Sequence, residues 1–538
     1  MKPLVLTGAP RAAAAGCGGA ATPPAGAGSR VRRISGIQYL RALAAFSVLL
    51  YHAAHYVATI RHDGALFAVF DGHFGLLGIT LFFVISGYLM AGIAGTTPAS
   101  VFLVHRVFRI YPVYWLVAGA VALAKLWLAE PVALDPAAFM LIPGGPHWYV
   151  LGVEWTLPFE LVFYVIVFAA IAVGQGRRLH LLALGWLALL VAARVWFPYW
   201  EGYSQDGNFP TLTFLPFSER CVGFVLGLMI PAAIARVRAG PGCLVLGLSL
   251  ILACGAMPAF VVWTVGAGCA LLVAVAASAG ERPAHGEIET LSRLGDWSFA
   301  LYLVHVPTVI WLLQALPPAC PPLAAWLAAI GASLAVSVLV GKLDIRLYRG
   351  LKRGCDRAPG WLRHAANALF LTAILGGGLR EDLRVRRERH ETREAAAVGA
   401  QLADGTDAAL PLLQRAARRG LLPGSVLVGH LDLASDLADQ RDRVRVSGWV
   451  VDRSGNDPAP AVLFFLGGRY VGSVLPATPR PDVLAALRIE GGARIGFAGT
   501  LPGSVCAPGA ALEALLLSGR QVAPLSIPPD ALRCAGPP

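Results

Sequence analysis

The chain has 538 residues, of which 56% are hydrophobic and 14% charged, and its mean hydropathy is +0.63. Soluble globular proteins carry about 25% charged residues, so this composition excludes a wholly soluble protein and indicates a membrane one. The formal net charge of +12 comes with no nucleic-acid-binding motif, and it reads as Lys and Arg in short loops that orient membrane helices.

Residues 1–33 read as a disordered N-terminal segment, rich in Ala, Gly and Pro over 1–29. Its "AAGC", ending at Cys17, lacks the apolar run that a lipoprotein site needs. Ten apolar segments follow at 37–57, 74–94, 109–128, 152–174, 179–197, 214–235, 242–257, 258–279, 297–315 and 322–341. A membrane helix needs about 20 such residues, which predicts an all-α polytopic bundle of about ten transmembrane helices. Arginines recur before the first segment (Arg30, Arg32, Arg33), between the second and third (Arg106, Arg109), between the fourth and fifth (Arg177, Arg178), after the sixth (Arg236, Arg238) and after the tenth. All fall on one side when the amino terminus is cytoplasmic.

The stretch 365–379 is short, holds three glycines and is basic on both flanks. It reads equally as an eleventh span or an interfacial helix, and the charge rule does not choose. Residues 380–420 carry both signs of charge and read as a helical linker. From 425 to 530 the pattern alternates in the strand manner, as in "RVRVSGWVVD" and "AVLFFLGGRYVGSVLP", with Gly467-Gly468 suited to a hairpin turn. The expected domains are therefore 34–350 in the membrane, 351–424 as extra segment plus linker, and a small β-sandwich-like domain over 425–530. Nine cysteines form no CxxC pair, so no metal or redox framework is expected. Cys506 and Cys534 could pair only in an oxidising compartment.

Ionisable residues inside the apolar segments carry the functional signal. His52 follows Arg41 by eleven residues, which returns it to nearly the same helical face, roughly 16 Å further along. Alone, such an Arg is ordinarily an interfacial anchor, and such a His can simply bond a neighbouring helix. Arg106 and Arg109 are three apart at the start of the third segment; they suit either topology anchoring or bidentate phosphate binding. Glu160 is expected in the outer half of the fourth segment, at the depth of His52, where a carboxylate can orient a base. Glu154 is expected nearer the surface and solvated, Ser86 bonded within its own helix, Glu219 and Arg220 as an interfacial pair, and Asp296 as a helix cap.

Taken together, "RALAAFSVLLYH", "FFVISGYLM", "RVFRIYP", "EWTLPFELVFY", "FSERCVGFVLGL" and "LGDWSFALYLVHVP" resemble, in order and spacing, acyltransferase family 3, the bacterial membrane enzymes that acylate surface sugars. The fourth-segment form is similar to the exopolysaccharide branch. The resemblance covers about 34–350 and implies an O-acyltransferase, moving an acyl group (acetyl above all) from cytoplasmic acyl-CoA to a hydroxyl of an extracytoplasmic or lipid-linked glycan. It implies an inner-membrane location, His52 and Glu160 as catalytic residues, and Arg41, Arg106 and Arg109 as the acyl-CoA-binding set. Thr80 stands where many members carry an acid, and Asp344 stands in a tail that lacks the family's proline. The C-terminal strands resemble a β-sandwich module of bacterial glycan enzymes, in which Trp449 and Asp452 serve equally as structure or as glycan contacts. A transporter or flippase of lipid-linked glycan, or a degenerate glycan sensor, are the rival readings.

Overall fold

In the computed structural model the described residues are 34–130, 132, 135–145, 147, 149–196, 210–279, 288–403, 410–424, 427–437, 440–452, 460–476, 480–487, 495–506, 511–528 and 532–533. The N-terminal segment, Cys17 and Cys534 lie outside them.

The membrane domain is built from α1 (Ser35–Arg61), α2 (Gly72–Ala94), α3 (Ala99–Trp127), the short α4 (Pro136–Phe139), α5 (Leu157–Ala172), α6 (Leu179–Trp196), α7 (Cys221–Ile234), α8 (Pro241–Leu252), α9 (Val261–Ser278), α10 (Glu289–Asp296), α11 (Ser298–Ala315) and α12 (Pro322–Arg357). Among the described residues, eight of these segments are long and apolar enough to cross a membrane, and α7 and α8 are shorter apolar helices. The protein is a multi-pass membrane protein. α1 packs on α2, α10 and α11, while α2 also packs on α7 and α9. The α2–α7 crossing needs Gly87 and Gly227. A Cβ on either would lie 2.2 Å from a carbonyl oxygen of the other helix, so small residues here let two backbones touch.

Three expectations about boundaries need correction. α3 begins at Ala99, ten residues before the predicted start, so Arg106 and Arg109 lie inside the helix and not in a loop before it. Asp296 closes α10, and α11 starts without a side-chain cap. The fourth crossing does not start at the surface. Leu141, Leu151, Val153 and Glu154 are all buried, so the connection from α4 to α5 dips into the bundle. Glu154 is fully buried rather than solvated. Its carboxylate accepts the backbone N–H groups of Leu151 (2.7 Å) and Val153 (3.0 Å), and this staples the dipping loop. α5 therefore starts part-way down, which carries Glu160 deeper than its sequence position suggests.

After α12 come α13 (Gly360–Leu371), a π-helical turn (Thr372–Gly376) and α14 (Gly377–Ala403), followed by α15 (Leu412–Arg418). The sheets comprise β1 (Leu422–Pro423), β2 (Leu427–Leu437), β3 (Gln440–Asp452), β4 (Ala461–Leu466), β5 (Arg469–Val474), β6 (Gly496–Pro502), β7 (Leu512–Ser518), β8 (Gln521–Pro524) and β9 (Leu532–Arg533), with α16 (Pro481–Leu487) between β5 and β6. One sheet has the order β1-β8-β7-β4-β5 and the other β6-β3-β2-β9. Together they span 422–533, slightly wider than the 425–530 read from the pattern. Gly467 and Gly468 both take positive φ, 54° and 78°, as a two-residue hairpin turn requires.

β4 is apolar on both faces because it is covered on both. Val462 and Phe464, with Leu516 of the neighbouring β7, face Val446 and Phe497 of the second sheet. Leu463 and Phe465 pack beneath Ala395, Leu402, Leu412 and Ala416 of α14 and α15. Trp449 packs against the small cluster formed with α16, and Asp452 accepts a hydrogen bond from Ser518 at 3.2 Å; both side chains therefore have structural partners.

Candidate active site

Two cavities of the bundle hold the candidate residues. The first is lined by Arg41 of α1, Ser86 of α2, Arg106 and Arg109 of α3, Glu160 and Tyr164 of α5, and Tyr302 of α11. Arg41 donates to Ser298 Oγ at 3.1 Å. Arg109 forms an ion pair with the buried Asp344 at 2.6 Å and lies over the rings of Phe299 and Tyr348. Asp344 thus neutralises one of three clustered guanidiniums and fixes its orientation. The Nε of Arg106 is buried with no hydrogen-bond partner. A buried donor left unmade is costly, and here it belongs to a cationic group on a cavity wall.

Glu160 belongs to this arginine cavity. It accepts hydrogen bonds from the Tyr164 hydroxyl and, at 3.4 Å, from Ser86 Oγ. Ser86 therefore bonds across helices and not within its own. The expected pairing of Glu160 with His52 is not what the structure places together: the dipping loop sets α5 lower than a surface-to-surface helix.

The second cavity is lined by His52 and Tyr51 of α1, Asp71 and His73 at the start of α2, Trp155, Arg220 and again Tyr302. The partner of His52 is His305 of α11. His305 Nδ1 lies 3.0 Å from the Leu301 carbonyl oxygen. A carbonyl only accepts, so in the neutral ring this nitrogen carries the proton and Nε2 is the acceptor. His52 Nδ1 lies 3.0 Å from the Val48 carbonyl and 3.1 Å from His305 Nε2. Its proton is thus shared between two acceptors, and the lone pair of His52 sits on Nε2. Two backbone carbonyls, each one helical turn back, fix the tautomers of both rings. This is the arrangement of an oriented base.

His305 stood in the sequence as a histidine in an apolar helix two residues before Pro307. Its intramembrane position was the available signal; its partner was not legible. The expected Glu219–Arg220 pair is replaced by Glu219 with Arg194 at 3.3 Å and Arg220 over the Trp155 ring. Among the described residues no group of three or more His, Cys, Asp or Glu could hold a metal ion.

A helical membrane bundle with a cationic cavity, an oriented histidine and the six motifs in order is the architecture of a membrane acyltransferase. The family model "Acyltransferase domain" (Acyl_transf_3) matches residues 34–342, more than half the chain, and the protein belongs to that family. Among curated proteins it is similar to the exopolysaccharide production protein ExoZ of Rhizobium meliloti (strain 1021), with 32% identity over 251 residues, 43% of this chain and 75% of that protein. It is also similar to the acyltransferase MdmB of Streptomyces mycarofaciens, with 27% identity over 326 residues, 51% of this chain and 79% of that protein. No solved structure matches.

Proposed function

We propose that the protein is an O-acyltransferase that moves an acyl group, acetyl above all, from acyl-CoA to a hydroxyl of a surface or lipid-linked glycan. The observation that carries this is one helix, α1, presenting Arg41 to a cationic cavity and His52, as an oriented base, to a second cavity. The similarity to a protein named for exopolysaccharide production supports a glycan acceptor.

In this reading Arg41, Arg106 and Arg109 hold the CoA phosphates. Planar guanidiniums suit phosphate oxygens. The acceptor hydroxyl sits in the second cavity. His52 Nε2 takes its proton as the oxygen attacks the thioester carbonyl carbon. The C–S bond then breaks, and the departing thiolate takes the proton back from His52. The products are the ester and free CoA, with the base regenerated. Glu160 acts on the arginine side, where it sets charge and geometry through Tyr164. The amino terminus and the arginine cavity face the cytoplasm, by the charge asymmetry of the loops, and the membrane is the bacterial inner membrane.

The test is structural analysis of cell-surface polysaccharide from wild type, a deletion strain and the deletion strain carrying His52→Ala. Loss of one ester-linked acyl group in both mutants is expected. An unchanged acyl pattern in the deletion strain would refute the reading.

A further inference from the structure

The geometry points to an eleventh membrane crossing, through α13 and α14, that carries the β-sandwich to the side on which the His52 cavity opens. At one end Asn367 donates to the Ser100 carbonyl at 2.9 Å, beside the first turn of α3. Midway, the Phe370 ring meets Tyr111 of α3. At the other end Gly377 abuts Ile142, Gly378 abuts Leu212, Asp382 accepts the Thr213 N–H at 3.2 Å, and Arg384 donates to the Gly144 carbonyl. Those last partners lie in the connection from α4 to α5 and in the one before α7, and from Asn367 to Arg384 the segment climbs roughly 26 Å at 1.5 Å per residue.

Its outer face is mostly apolar and bare, with His364 and Arg380 exposed near its two ends. Trp361, Leu362, Leu369, Leu379 and Leu383 are all exposed. From Trp361 to Leu383 is roughly 33 Å at 1.5 Å per residue, which matches a hydrocarbon core of about 30 Å. The polar residues Asn367 and Asp382 are buried against protein, where membrane helices tolerate them. The ten preceding apolar segments return the chain to its starting side, and an eleventh leaves it on the opposite one. The sandwich is fixed to the last turns of α14 through Ala395 and Leu402. It therefore stands on the side of Asp71 and Arg220, where the second cavity is entered.

The test is a dual alkaline phosphatase–β-galactosidase reporter at the C-terminus of the full chain, in intact cells. Alkaline phosphatase activity, which develops only outside the cytoplasm, is expected. β-Galactosidase activity without phosphatase activity would overturn the crossing. The outcome does not depend on catalysis.

A separate observation concerns the acyl group. The two cavities share Ile79 and Tyr302 as walls. The Tyr302 hydroxyl is pinned by Thr156 Oγ1 at 2.6 Å and donates to the Val153 carbonyl, so its ring is fixed one turn before His305. We infer that Ile79 and Tyr302 form the slot through which the acyl group passes, and that Ile79 sets its permitted length. This rests on the acyltransferase reading above. Membrane vesicles bearing wild type, Ile79→Ala or Ile79→Phe would be given acetyl-CoA or butyryl-CoA, and free CoA thiol measured. The butyryl-to-acetyl ratio should rise about tenfold in the alanine variant and fall in the phenylalanine one. A ratio unchanged in both would overturn the slot. CoA release from neither thioester in wild type would overturn the underlying reading and the slot with it. Ile79→Val, one methyl smaller, repeats the test if the alanine variant does not accumulate.

Discussion

Replacing His305 separates orientation from chemistry. His52 Nδ1–H has two acceptors, the Val48 carbonyl and His305 Nε2, and His305→Ala removes only the second. The Val48 carbonyl still holds the proton on Nδ1, so the tautomer survives and Nε2 stays basic. What is lost is one hydrogen bond, worth about 0.5–1.5 kcal/mol net, and with it part of the ring's orientation. At about 1.4 kcal/mol per factor of ten, kcat should fall roughly two- to tenfold while KM for acyl-CoA holds. Removing the proposed base, by His52→Ala, should cost on the order of 10²–10⁴. His305→Gln, whose amide oxygen can accept the same N–H, should recover most of the loss. The assay is CoA release from acetyl-CoA in vesicles, with KM and kcat separated. A His305→Ala defect as deep as that of His52→Ala, or none in kcat, would refute the positioning role.

Three further outcomes follow from the geometry. Arg106→Ala with Arg109→Ala should raise KM for acyl-CoA at least tenfold, by loss of charge-assisted phosphate contacts, and Asp344 will then be left as a buried unpaired carboxylate, so thermal stability in detergent should fall too. An unchanged KM would return both arginines to topology anchoring. Glu154→Ala strands the N–H groups of Leu151 and Val153 in the core. At about 1–3 kcal/mol each, the melting temperature should drop by several degrees, whereas Glu154→Gln, which keeps an acceptor, should drop it less. Gly87→Ala places a Cβ 2.2 Å from the Phe224 carbonyl oxygen, so it should lower folded yield sharply. Gly92→Ala on the same helix, with nothing within 4 Å, should not; equal yields from the two would refute the α2–α7 contact.

Much of this protein was determined by its sequence alone. Composition forced the apolar helices into a membrane, because backbone there must be satisfied within helices. The alternation of "RVRVSGWVVD" in β3 and the Gly467-Gly468 pair marked the sheet domain, because strand period and positive φ leave local signatures. Arg41 and His52 were legible as one track because both lie on one continuous helix, whose period is known. The partners were decided only by tertiary structure. Glu160 went to the arginines and not to His52, because a buried loop, stapled by Glu154, lowers the start of α5. His305 came to His52 from 253 residues away, a separation no local pattern reports. The stretch 365–379 was ambiguous from sequence because it is short, holds three glycines and is basic on both flanks, while in the fold Asn367 meets α3 and Asp382 meets the connection before α7. Local periodicity is written in the chain, but which faces meet is fixed by packing.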